Sequence, residues 1–115
     1  MRTENLLVLG GGPGGYTAAF LAADLGMKVT LVDTESKPGG VCLYRGCIPS
    51  KALLHIAKLV ADTQMAGNFG LKFSKPEIEL DSIRKWKNQV ISKMSFGLAT
   101  LAKKRGVTFI NGCGV

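Results

Sequence analysis

The sequence predicts an α/β chain in which helices flank a parallel β-sheet. Three observations carry that expectation. A continuous apolar run, Leu6-Leu7-Val8-Leu9, leads straight into a glycine-rich turn, Gly10 to Gly15. A helix-period, alanine-rich segment follows from Tyr16 to Leu25 and stops at Gly26. A second apolar run, Lys28 to Val32, then ends on Asp33. Strand, turn, helix and strand within about 30 residues form a βαβ unit.

Asn5 to Gly10 lacks the polar alternation of a half-buried strand and reads as one covered on both faces. The turn satisfies G-x-G-x-x-G at Gly10, Gly12 and Gly15, with Pro13 and Gly14 between them. That pattern gains meaning from the strand before it and the helix after it. Gly10 permits the tight turn, Gly12 lets the backbone approach a pyrophosphate, and Gly15 lets the helix lie close to the strand. The free N–H groups at the helix start then face the phosphates. The architecture is therefore Rossmann-like. Asp33 stands where a carboxylate accepts hydrogen bonds from an adenosine ribose and disfavours a 2′-phosphate, so the nucleotide is FAD or NAD rather than NADP. A solvent-exposed strand-end cap is the alternative for Asp33.

Two cysteines five positions apart, Cys42 and Cys47, lie in Gly39-Gly40-Val41-Cys42-Leu43-Tyr44-Arg45-Gly46-Cys47-Ile48-Pro49-Ser50-Lys51. On a regular helix that spacing separates Cα atoms by roughly 8–9 Å, whereas a disulfide needs them within roughly 7 Å. If the two pair, the segment is irregular, and its glycines and proline permit that. So short a loop suits a bond that opens and closes, which favours redox chemistry; a zinc half-site or a static bridge stays open. Zinc pairs usually leave two to four residues between the cysteines and need a second pair, which the sequence lacks.

Farther on, Ser50 to Met65 reads as a helix with Ala52, Leu53, Ile56, Ala57 and Val60 on one face. Residues 67–79 read as a loop, with a short extended piece at Leu71 to Phe73. A long helix is predicted from Leu80 to about Lys104, its apolar stripe being Leu80, Ile83, Trp86, Val90, Met94, Leu98 and Leu101. Val107 to Asn111 is a third strand. Cys113 has no motif partner and reads as a buried free thiol. His55, the only histidine, reads as structural.

The 115 residues allow one small domain, and a composition 46% hydrophobic and 20% charged is that of a globular chain. No apolar run is long enough to span a membrane, and the start, Met-Arg-Thr-Glu-Asn, does not read as a secretion signal. With three cysteines and no export signal, a reducing compartment, the cytoplasm, is expected. The net charge of +7 is uneven: residues 1–71 hold six Lys/Arg against five Asp/Glu, residues 72–115 nine against three. The excess lies mostly on one helix without aromatic stacking residues, so a solvated face is expected rather than a nucleic-acid site.

The fingerprint Gly-Gly-Gly-Pro-Gly-Gly-Tyr followed by Gly-Gly-Val-Cys-Leu-Tyr-Arg-Gly-Cys-Ile-Pro-Ser-Lys-Ala-Leu-Leu-His resembles the flavin-dependent pyridine nucleotide–disulfide oxidoreductases. The continuation Ile-Pro-Ser-Lys-Ala-Leu-Leu resembles the dihydrolipoamide dehydrogenase branch more than the glutathione or mercuric reductases. The likeness runs from about Leu6 to the end and is most specific over residues 39–55. Asp33 in place of the more usual Glu, and Tyr44 in place of the more usual Asn, depart from the pattern.

The resemblance implies a redox Cys42–Cys47 disulfide. Cys47 would be the cysteine nearest the flavin, the one that forms the charge-transfer thiolate, and Cys42 the interchange cysteine that meets the lipoyl sulfur. Lys51 would stand near the flavin N5, an ordinary solvated helix lysine being the alternative. Asp33, Thr34, Gly39, Gly40, Val41 and Gly114 would surround FAD. The resemblance further implies NAD as co-substrate, lipoyl domains of 2-oxo acid dehydrogenase complexes as partners, and a homodimer for the whole enzyme. The chain corresponds to the N-terminal part of a discontinuous FAD-binding domain, without NAD-binding and interface domains, and is expected to be inactive alone. A non-catalytic FAD-binding or assembly module is the other reading.

Overall fold

The computed structural model describes residues 5–115; the reading of the first four residues as no export signal lies outside them. The elements run β1 (Asn5–Leu9), α1 (Pro13–Asp24), β2 (Lys28–Asp33), α2 (Gly40–Arg45), α3 (Cys47–Met65), a 3₁₀ turn (Ala66–Phe69), α4 (Leu80–Lys104) and β3 (Thr108–Asn111). The three strands form one parallel sheet in the order β1-β2-β3. Val8, Leu31 and Phe109 stand in one row across it, and Leu9, Val32 and Ile110 in the next.

Helix bounds differ from expectation where proline is involved. α1 opens at Pro13 rather than Tyr16, because proline lacks only an N–H that the first turn leaves unpaired. For the same reason α3 opens at Cys47 and carries Pro49 in its first turn, rather than opening at Ser50. α2 is an additional helix. Leu71 to Phe73 forms no strand.

Two chain reversals use the same cap. After α1, Gly26 N–H donates to Ala23 O and Met27 N–H to Ala22 O; after α4, Gly106 N–H donates to Lys103 O and Val107 N–H to Ala102 O. Both are Schellman motifs, and each delivers the chain directly into a strand. Arg105 then ties the two corners together, 3.0 Å from the Asp24 carboxylate and 5.2 Å over the Phe20 ring.

The core lies on one side of the sheet. Val29 and Leu31 are buried there with Ala19, Ala22, Ala102 and Val107, and Leu6, Val8 and Phe109 pack against them. Burying Leu31 alone contributes about 1.5–3 kcal/mol. The other face is bare: Leu7 is 60% exposed, Leu9 64% and Ile110 47%. This corrects the expectation that β1 is covered twice. Both crossovers step the same way along the sheet, and right-handed connections then place α1 and α4 on one face.

The helix stripes also differ. On α4 the buried residues are Ser95 and Ala102, while Leu80, Trp86, Met94 and Leu101 of the expected stripe are at least 39% exposed. On α3 only Ala52 is buried, and Leu53 is exposed. Ala102 lets the end of α4 approach the sheet, whereas Trp86 meets His55 of α3, and Met94, Leu98 and Leu101 line the cavity described below. His55 is exposed and tilted against Trp86, ring centres 6.4 Å apart. No helix among the described residues is long and apolar enough to cross a membrane.

Candidate active site

Every element of the site meets at the C-terminal end of the sheet. Gly10 N–H donates to Val32 O at 2.8 Å, which carries the turn across to β2. A Cβ on Gly15 would overlap the Gly10 carbonyl oxygen and come within 3.5 Å of Val8, so no other residue lets α1 start this close to β1. α1 has no side-chain cap. Its first-turn amides, Gly14 among them, are left to a ligand or water, and a Cβ on Gly14 would meet nothing within 4 Å.

Asp33 does more than the sequence indicated. One carboxylate oxygen accepts the Gly11 N–H, and the other accepts the Glu35 N–H at 2.7 Å. The carboxylate thus bolts the glycine turn to the end of β2; each oxygen keeps a second lone pair for a ribose hydroxyl. Asn111, not singled out in the sequence, extends its amide to the carbonyls of Asp33, Thr34 and Glu35 at 3.3, 2.9 and 2.8 Å. Beside this lattice lies a cavity of about 140 Å³, where Gly10, Asp33, Thr34 and Gly114 converge. Cys113 lines it too and is exposed, its Sγ 3.7 Å from Gly114 O, which corrects the expected burial. A short polar strand end leaves no core to bury it.

The cysteine segment docks onto the same turn. Gly39 N–H donates to Gly11 O at 2.8 Å. A Cβ on Gly40 would stand 2.5 Å from the Gly12 Cα, so the two backbones touch through glycine alone. α2 then carries Cys42 and α3 begins at Cys47. Both are free thiols in the structure, Cys42 half-buried and Cys47 exposed, so the expected bridge is open here. They stand close enough to interact. A thiol–thiol hydrogen bond with Cys47 pushes the Cys42 thiol up, burial and the charge of an ionised Cys47 add to this, and the Cys47 amide and Lys51 act the other way. Lys51 is therefore near the pair, although exposed. Val41 is 64% exposed.

Cys42 also lines an apolar cavity of about 280 Å³ between Pro13 and Tyr16 of α1, Leu43, Ile48 and the Met94–Leu101 stretch of α4. Sequence reasoning missed Tyr16 and Ile48; the signal for the α4 residues was its stripe, read as core. Among the described residues no group of three or more His, Cys, Asp or Glu could hold a metal ion.

The profile of the pyridine nucleotide-disulphide oxidoreductases matches residues 4–115. The chain belongs to this family. A dihydrolipoyl dehydrogenase of Haemophilus influenzae is 51% identical over 107 residues, which is 93% of this chain and 22% of that protein. One from Vibrio parahaemolyticus is 47% identical over 109 residues, 95% of this chain and 23% of the relative. The crystal structure of LpdA from Mycobacterium tuberculosis superposes with a TM-score of 0.84 at 27% identity, covering 97% of this chain and 24% of that one. The chain thus spans less than a quarter of the length of the relatives it matches.

Proposed function

We propose that this chain is the FAD-binding, redox-cysteine part of a dihydrolipoyl dehydrogenase. One observation carries the reading: a pair of adjacent thiols, Cys42 and Cys47, is docked onto the glycine turn of a nucleotide-binding βαβ unit and opens on an apolar cavity. Likeness to proteins named dihydrolipoyl dehydrogenase supports it.

Gly12, Gly14 and the start of α1 would hold the pyrophosphate of FAD, Asp33 and Thr34 its ribose, and Gly114 its adenine end. The cleared space at Gly14 and the free lone pairs of Asp33 fit such a ligand. When bound, FAD would take an electron pair from the dithiol and pass it to NAD. The chain's own chemistry is thiol exchange. In the oxidised pair, a thiolate of dihydrolipoamide attacks the Cys42 sulfur and the Cys42–Cys47 bond breaks. The second lipoyl thiolate then displaces Cys42, leaving a cyclic lipoyl disulfide and two protein thiols. The apolar cavity beside Cys42 suits the hydrocarbon arm of a lipoyl group.

On this reading the chain is part of a larger FAD-binding domain, and the whole protein is a cytoplasmic homodimer serving lipoyl domains of 2-oxo acid dehydrogenase complexes. A thiol pair that works by opening and closing fits a reducing compartment. The test is made in the whole protein. Dihydrolipoamide should reduce NAD⁺, and Cys42→Ser should lower the rate by at least about a thousandfold, as loss of a covalent-exchange group does. Turnover of glutathione disulfide or mercuric ion in place of lipoamide would overturn the substrate assignment, and an active Cys42→Ser would overturn the mechanism.

A further inference from the structure

α2 has six residues and carries Cys42. A helix that short has no stability of its own, so something else holds the cysteine in place. Its three anchors are consecutive and all lie between the two cysteines. Leu43 is 4% exposed and packs against Gly39. Tyr44 donates its phenolic hydrogen to the Lys37 carbonyl at 3.0 Å. Arg45 stands 2.6 Å from Glu35. At Gly46 the chain then doubles back: a Cβ there would sit 3.3 Å from the Cys42 Cα and 3.1 Å from Val41 O. That reversal delivers Cys47 beside Cys42.

The anchors are unequal. The Arg45 side chain is 60% exposed, so its ion pair with Glu35 contributes little. Leu43 supplies apolar burial, which has no direction. The Tyr44 hydrogen bond is directional, and its acceptor is followed by buried Pro38 and by Gly39, whose N–H is held by Gly11 O. Lys37 lies in the loop leaving β2, whose first residues are pinned by the Asp33 carboxylate and by the Asn111 amide.

We propose that the Tyr44 hydroxyl is a positioning group for the redox pair: by fastening α2 to the Lys37 carbonyl, it holds the Cys42 and Cys47 sulfurs at the spacing from which their bond closes. This rests on the redox reading above. Burial pushes the Tyr44 phenol up, with Glu35 and Asp33 adding to it and the Ser95 hydroxyl acting the other way. The phenol therefore stays protonated, and donating, wherever thiols exchange.

The reaction that reports on this is exchange with glutathione disulfide. The two cysteines lose two protons and two electrons and form the Cys42–Cys47 bond, and the glutathione disulfide takes up both and leaves as two thiols. The 115-residue chain is equilibrated in glutathione buffers of graded ratio, quenched with acid and alkylated. The peptide holding both cysteines is then weighed. Tyr44→Phe removes one oxygen and keeps the ring. Because the hydrogen bond is already made with both thiols free, its loss acts through the freedom that α2 regains in the open form. The substitution should lower the closing constant by about twofold or more, with a ceiling of about tenfold, the whole worth of one neutral hydrogen bond. Arg45→Gln should stay within about twofold of the parent, as for an exposed ion pair. A melt of the reduced chain is recorded alongside. A closing constant in Tyr44→Phe that stays within about 1.5-fold of the parent, well below one hydrogen bond, or rises, overturns the proposal, whatever the melting temperature does. So does a Tyr44→Phe chain that fails to fold, since the hydroxyl would then serve the fold as a whole. A parent chain that never forms the bridge at any ratio overturns the redox reading itself, which separates the two failures.

Discussion

Cys42 and Asp33 show how a site residue answers to its neighbours. The Cys42 thiol is pushed above the ordinary value of 9.0, first by its hydrogen bond with Cys47. The folded chain therefore keeps this proton to higher pH than the unfolded chain does. The associated stability is complete below the unfolded value and is lost as pH rises through the folded one. In the reduced chain, alkylation of Cys42 should show a midpoint above 9.0, and Cys47→Ala should move that midpoint down. A midpoint at or below the ordinary value in the parent would contradict the arrangement. Asp33 was legible as a carboxylate at a strand end, the position from which the sequence led to the expectation of a ribose ligand. Its grip on the Gly11 and Glu35 amides was not legible, because Gly11 reaches it only once β1 and β2 lie side by side. Asn111 is a similar case. Nothing in Thr108–Asn111 marks a clamp until parallel pairing sets Asn111 opposite Asp33.

Helices and strands were legible where a turn signal bounded an apolar run. Gly26 announces the end of α1; Gly106, not singled out in the sequence, does the same for α4, and both have the positive φ that a Schellman cap demands, 89° and 70°. Gly106→Ala should cost about 1–2 kcal/mol, the penalty of a left-handed conformation with a Cβ, read as a lower urea midpoint with an unchanged slope. A larger loss would mean that Gly106 serves packing as well, although a Cβ there would meet nothing within 4 Å. α2 was not legible. Its composition, rich in glycine at both ends, says turn, and only its docking on Gly12, Lys37 and Glu35 makes it a helix. The α4 stripe shows the opposite failure. Its period was right for a helix, but period alone cannot say which face is covered: Ala102 meets the sheet and Ser95 meets Tyr44 of α2, while the bulky residues lie elsewhere.

Across the molecule, shape follows from the length of two helices. The Cα radius of gyration is 19.7 Å and the principal extents are 67 × 26 × 20 Å, against about 13 Å for the radius of a compact chain of this length. α3 and α4 run antiparallel, with Ile48 near Met94–Leu101 and His55 near Trp86, and they stand out beyond the sheet. The sheet itself shows Leu7, Leu9 and Ile110 to solvent on its bare face. A contiguous apolar face of this kind promotes association. The isolated chain should therefore bind an apolar dye such as anilinonaphthalene sulfonate, and Leu7→Gln with Leu9→Gln should remove most of that fluorescence without changing helix content. Fluorescence equal to the parent's would place the dye elsewhere, for instance in the cavity beside Cys42.

The sequence alone determined the βαβ unit, its glycine turn, the carboxylate at the end of β2 and the close-spaced cysteines, because each is a local pattern that depends on neighbours a few residues away. Tertiary structure decided the rest. The meeting of Gly12 with Gly40, the reach of Asn111 and Gly114 to Asp33, the apolar cavity at Cys42 and the bare face of β1 all join residues far apart in the chain. Such contacts depend on the hand of the crossovers and on how closely helices approach the sheet. Both are set by packing, which no short stretch of sequence records.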